Sequence, residues 1–225
     1  MEQNRRENHR ALRISCETVN ALPDDFDLKR RVAREAATLL YFGAEKEYKQ
    51  AKDKAAQTFG VHFLPSNLEI ALELDKIAEE NEGAKRKERL VQMRREALDV
   101  MRLLSGFCPV LIGSVWRGTI KMESDIDIAV YADEPEEVTR ILKAGGVKVS
   151  KSAWTTVNKR GVTLESFHIY AQTPAKHGLE IVVRSREEKG KKRKCETFGD
   201  ELKGLNIKEL EKVLESNPTQ QFIPI

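Results

Sequence analysis

Cysteine is scarce in this chain: 225 residues carry three, Cys16, Cys108 and Cys195, widely spaced and odd in number. That pattern excludes a disulfide-stapled scaffold and lacks the paired spacing of a zinc site. Long apolar runs are missing as well. Nothing approaches the roughly 18–20 uncharged apolar residues needed to span a bilayer, and Met1 to Arg10 is polar, unlike the apolar core of a secretory signal. No membrane partner is expected, and a cytoplasmic setting with reduced thiols is. A dominant charge of one sign is also absent, because 39 Lys and Arg face 36 Asp and Glu for a net +3. The molecule as a whole is not a polycation. No internal repeat and no long low-complexity segment is found.

What remains is a soluble composition, 40% hydrophobic and 33% charged, arranged in two different patterns. The first hundred residues read as helices. From Leu28, apolar residues recur at Val32, Ala36, Leu40, Ala44, Tyr48, Ala51 and Ala55 up to Gly60, a spacing that predicts one long helix. Asp24, Asp25 and Asp27 after Pro23 supply acids for its start. Ser66 with Glu69 makes a capping box for a second helix, stopped by Gly83. Leu90, Met93, Ala97, Val100 and Leu104 line a third.

Near Gly106 the pattern changes. Val110 to Ile112 and Ile126 to Tyr131 read as strands, Pro135 to Ala144 as a helix closed by Gly145 and Gly146. Val147 to Val149, Ser166 to Ala171 and Leu179 to Val183 read as further strands, the last two joined as a hairpin through residues 173–178. Asn206 and Glu209 can cap a final helix. The fold class expected is α+β: a helical region over residues 1–105, then a small mixed-sheet domain with flanking helices over residues 106–225.

Two strand ends carry chemistry. Gly113-Ser114 ends the first strand, where a glycine lets the backbone approach a ligand and a helical turn directs free N–H groups at a phosphate. Asp125 and Asp127 project together from the second strand, since residues i and i+2 share a face. Two adjacent carboxylates raise each other's pKa unless a cation neutralises them, which suits magnesium or manganese. Ten residues separate Ser114 from Asp125, enough for a short helix and a return to the neighbouring strand.

Gly113-Ser114 followed at that interval by Asp125-Ile-Asp127 resembles the signature of the DNA polymerase β-type nucleotidyltransferase superfamily. Within it, Gly113-Ser-Val-Trp-Arg-Gly118 and Ser124-Asp-Ile-Asp127 are similar to the minimal nucleotidyltransferase branch. The resemblance implies transfer of a nucleoside monophosphate from a nucleoside triphosphate, ATP foremost, to an acceptor hydroxyl on a protein, an RNA or a small molecule, with release of pyrophosphate. It implies Mg2+ or Mn2+ held by Asp125, Asp127 and a third carboxylate. Glu180, the one acid in an otherwise apolar strand, fits that place; Glu165 competes but starts its strand. Gly113 and Ser114 would hold the triphosphate, with Arg117 and Lys121 offsetting its charge. His168 and His177 are expected in surface or structural roles, and Trp116 and Trp154 in packing. The N-terminal helices are expected to define the acceptor or a homo-oligomer interface. Two other readings stand beside this one: a catalytically silent nucleotide- or partner-binding regulator, and an RNA-acting member. The latter would use the run Arg184 to Lys194, seven basic residues against two acids, and Lys85, Arg86, Lys87 and Arg89 as its footprint.

Overall fold

The computed structural model describes residues 25–159 and 162–224. Cys16, Pro23 and Asp24 therefore lie outside the described residues. Helix α1 (Asp25–Tyr41) packs against both α2 (Tyr48–Phe59) and α3 (Asn67–Leu103). This corrects the single long helix expected from Leu28 to Gly60. The chain breaks at Gly43, which adopts a left-handed φ of 71°, and folds back. Val32, Ala33, Ala36 and Ala37 then bury against Ala51, Ala55 and Ile70. Helical spacing is kept across the break because two helix faces turned towards one another satisfy it as well as one long face.

Ser66 caps α3 through the predicted box, its hydroxyl accepting from the Glu69 N–H while Glu69 accepts from the Ser66 N–H at 2.7 Å. Gly83 interrupts the helix with φ 53° and ψ −133°. The helix then resumes and carries Leu90, Met93, Ala97, Val100 and Leu104 into a different core. The two hydrophobic cores thus part within α3 near Gly83 rather than at residue 105. Across the kink the buried Arg86 reaches back to Asp75 and to Glu79 and donates to the Ile120 carbonyl at 2.7 Å. Arg89 pairs with Glu82, and Lys87 with Glu79 at 2.9 Å. The basic face expected at residues 85–89 is therefore largely neutralised within the fold.

The second core lies under a five-stranded mixed sheet in the order β1-β2-β5-β4-β3. The strands are β1 (Val110–Ile112), β2 (Ile126–Tyr131), β3 (Lys148–Lys159), β4 (Val162–Gln172) and β5 (Gly178–Arg184); α4 (Gly113–Arg117) follows β1 and α5 (Pro135–Ala144) follows β2. β2 and β5 run parallel, and the other pairings are antiparallel. Alternation sorts the side chains. Ile126, Ile128 and Val130 with Leu179, Ile181 and Val183 enter the core beside α3 and the last helix, α6 (Ile207–Ser216). The intervening residues face the other way. β3 and β4 are much longer than expected, and their outer ends pair only with each other.

Candidate active site

Parallel pairing of β2 with β5 sets Asp127 opposite Glu180, and antiparallel pairing of β1 with β2 sets Ile112 opposite Asp127. The turn after β1 is thereby brought to the same strand end as the acids. Gly113 opens α4 with φ 71°. A Cβ at Gly113 would stand 1.9 Å from Asp127 Oδ2, and a Cβ at Gly178 would stand 1.9 Å from Asp125 Oδ1. Each carboxylate is packed against the bare Cα of a glycine, so a side chain at either position would displace it, and Gly113 is required by conformation as well. Asp125 lies just before β2, presented by a turn in which the Lys121 N–H donates to Ser124 Oγ at 2.9 Å.

The electrostatics of this cluster are adverse. Burial, then the charge of Glu180, then that of Asp125, push the Asp127 carboxyl up to about 7. Asp125 is also raised, first by burial and then by Glu180, while Lys121 pulls it down. A buried carboxylate is normally paired or bonded by donors. Here the neighbours are of like sign, and a hard divalent cation is the ligand that three oxygen donors of this kind suit. The donor set fits such a metal in chemistry. No three His, Cys, Asp or Glu among the described residues converge into a ready-made metal cage, and Glu180 is engaged by a histidine. Its Oε1 lies 2.6 Å from His168 Nδ1, and His168 Nε2 lies 2.8 Å from Ser166 Oγ. Tyr170 stands opposite Glu180 in the β4–β5 register, and burial, then the Glu180 charge, raise its phenol pKa. His168 was expected only as a polar-face residue. Its tie to Glu180 had one sequence signal, the shared strand parity of 166, 168 and 170, but the facing register across β4 and β5 was not readable. Glu165, the competing third acid, pairs with Thr156 in the outer β3–β4 ribbon, and His177 bonds Glu96 at 2.9 Å.

Around α4 every exposed-looking cation has a specific place. A five-residue helix cannot satisfy its own carbonyls. Arg94, fully buried, donates to the carbonyls of Val115 at 3.1 Å and Trp116 at 2.8 Å, and to those of Pro218 and Gln220 in the C-terminal tail. Arg117 is buried between the rings of Trp116 and Phe198, bonded to both Asp200 oxygens at 2.6 and 3.0 Å and to the Phe222 carbonyl. Its donors are turned to the protein, whereas Lys121 stays near Asp125. A cleft of about 990 Å³ opens over Gly113, Ser114, Lys121 and Asp125, walled on the far side by Phe42, Gly43 and Tyr48 of the α1–α2 connection. Trp116 is packed as expected; Trp154 is 61% exposed.

A profile of the nucleotidyltransferase domain matches residues 103–217. No curated protein matches the chain. Among solved structures, a cytoplasmic RNA terminal U-transferase is 18% identical, with 52% of this chain and 36% of that chain covered at a TM-score of 0.30. The Cid1 poly(U) polymerase in MgATP- and MgGTP-bound forms is 19% identical, with 51% of this chain and 39% of that chain covered at a TM-score of 0.31. The chain thus spans well under half the length of those proteins. The profile spans the strand-end glycine, both aspartates and Glu180 at once, and on that match the chain belongs to the nucleotidyltransferase domain family.

Proposed function

We propose that this protein transfers a nucleoside monophosphate from a nucleoside triphosphate, ATP foremost, to an acceptor hydroxyl and releases pyrophosphate. The observation that carries the reading is the register of β1, β2 and β5. It gathers Gly113, Asp125, Asp127 and Glu180 at one strand end, with two glycines fitted against the aspartates. Asp125, Asp127 and Glu180 would hold Mg2+ or Mn2+, which when bound supplies charge for the α-phosphate and lowers the pKa of the attacking hydroxyl. Gly113 and Ser114 border the cleft where the triphosphate would lie, and Lys121 offsets its charge. Arg117 acts through the backbone: with Arg94 it fixes the turn that carries Gly113 and Ser114. The nucleotidyltransferase unit in this reading begins at the resumed helix after Gly83, and helices 25–82 wall the cleft on the side open to the base or acceptor. A cytoplasmic setting belongs to the same reading.

Transfer of α-phosphate label from triphosphates, with Mg2+ or Mn2+ and with protein, RNA and small hydroxyl acceptors in turn, is the direct test. The wild type should label one acceptor class, and Asp125→Asn and Asp127→Asn should each fall by 10³-fold or about that order, the scale of losing transition-state charge stabilisation. Triphosphate binding without transfer to any acceptor would establish instead the silent, regulatory reading.

A further inference from the structure

A second cavity lies at the opposite end of β2, four residues beyond Asp127 and hence roughly 13 Å along the strand at 3.3 Å per residue. It encloses about 690 Å³, and Lys189, Lys191, Lys192, Lys203 and Lys208 line it against one acid, Glu201. Lys191 is paired with Glu188 and Lys192 with Glu201. For Lys189, Lys203 and Lys208 no ion pair with a described carboxylate is found. The floor is apolar, made by Pro109, Val110, Leu202 and Ile207, with Tyr131 at one side. Cys108 stands at the lip, its Sγ accepting from Lys189 Nζ at 3.1 Å. It holds a left-handed φ of 49° that a non-glycine residue seldom adopts.

We infer that this cavity is an anion site for phosphate groups, separate from the acids at the other end of β2. Lys189, Lys203 and Lys208, beside two lysines already paired with acids, leave the rim net positive, and an apolar floor concentrates their field. Lysine binds phosphate as a point charge without demanding a fixed geometry. Several lysines spread over this volume suit a ligand with several charges, either a free polyphosphate or consecutive phosphodiesters of a nucleic-acid strand. The site also gives the basic run Arg184 to Lys194 a use that the acids do not. The three lysines it contributes converge with two from residues 203–208, far enough along the chain that no charge run in the sequence reveals the cluster.

Cys108 makes the site testable without any catalytic activity. Its alkylation by N-ethylmaleimide is followed on the Cys108 peptide by mass spectrometry, in EDTA so that the acids hold no metal. Two probes are used, inorganic tripolyphosphate and a ten-nucleotide single-stranded RNA. Either probe should slow alkylation about tenfold or more at saturation. Added salt should weaken the protection, with a slope set by the number of lysines engaged. The exposed pair Lys203→Glu/Lys208→Glu should abolish it with an unchanged melting temperature, and Asp127→Asn should leave it intact. Protection by tripolyphosphate alone assigns a free polyphosphate, and protection by RNA at much lower concentration assigns a strand backbone. No protection by either probe, or protection that survives in the double variant, overturns the site. Neither result touches the assignment of the acids.

Discussion

Two charged side chains, one buried and one half-buried, flank the same five-residue helix, and they are treated in opposite ways. Arg94 has no carboxylate partner among the described residues, yet four carbonyls accept its donors; burial lowers its pKa only to about 10, so it stays a cation. Asp127 is half-buried with Glu180 and Asp125 for neighbours, and its carboxyl is driven up to about 7. The arginine is a finished structural element, closing carbonyls that a short helix and a terminal tail leave open. The aspartate sits among like charges, a setting that a proton or a positive ligand relieves. A charge whose donors are all met points to architecture, and one crowded by like charges with a shifted pKa points to function.

The comparison can be broken most forcefully on the arginine side. Arg94→Met should cost on the order of 3–5 kcal/mol, because four carbonyls lose their donor at once. In a chain of this size that lowers the melting temperature by about 10 °C. Arg94→Lys should recover only part of it, since one ammonium cannot reach four acceptors. A melting temperature within 2 °C of wild type for the Met variant, roughly 1 kcal/mol by the same scale, would erase the distinction.

The aspartate should behave in the opposite sense. Its folded pKa is raised, so folding favours the protonated form. That contribution is fully present below the unfolded pKa, is lost as pH climbs from the ordinary aspartate range through about 7, and is gone above it. Asp127→Asn should therefore raise stability by roughly 2–4 kcal/mol at pH 8 relative to wild type. The gain should vanish near pH 3, as read from denaturant melts across that window. Saturating Mg2+ should shrink the same gap at pH 8 by stabilising only the wild type.

A smaller effect sharpens the picture of how the acids are seated. Gly178→Ala meets Asp125 Oδ1, the far end of a side chain that can swing aside, whereas Gly113→Ala meets Asp127 and also strains a positive φ. The expected losses are about 1 kcal/mol for Gly178→Ala and about 2 for Gly113→Ala. Equal losses in paired melts would show that conformation contributes nothing at Gly113.

Much of this was legible beforehand, for reasons that differ by element. Capping boxes at Ser66 and Asn206 were readable because their hydrogen bonds close within four residues. Strand β2 was readable because alternation with buried isoleucines is local. Gly43 was overlooked because the apolar spacing runs through it unbroken. The outer β3–β4 ribbon was missed because its strands are polar and are held by pairing with each other rather than by burial. The engagement of Arg117 was not readable, because Asp200 and Phe222, which bond it, come from 80 and more residues away.

The sequence by itself determined that Gly113, Ser114, Asp125 and Asp127 form one motif, since a short helix and a return strand leave few ways to connect them. Only the tertiary structure decided that Glu180 stands opposite Asp127, which arginines are already engaged, and that lysines from two segments share a cavity. Those outcomes depend on strand register and on contacts between distant segments, and neither leaves a periodic trace along the chain.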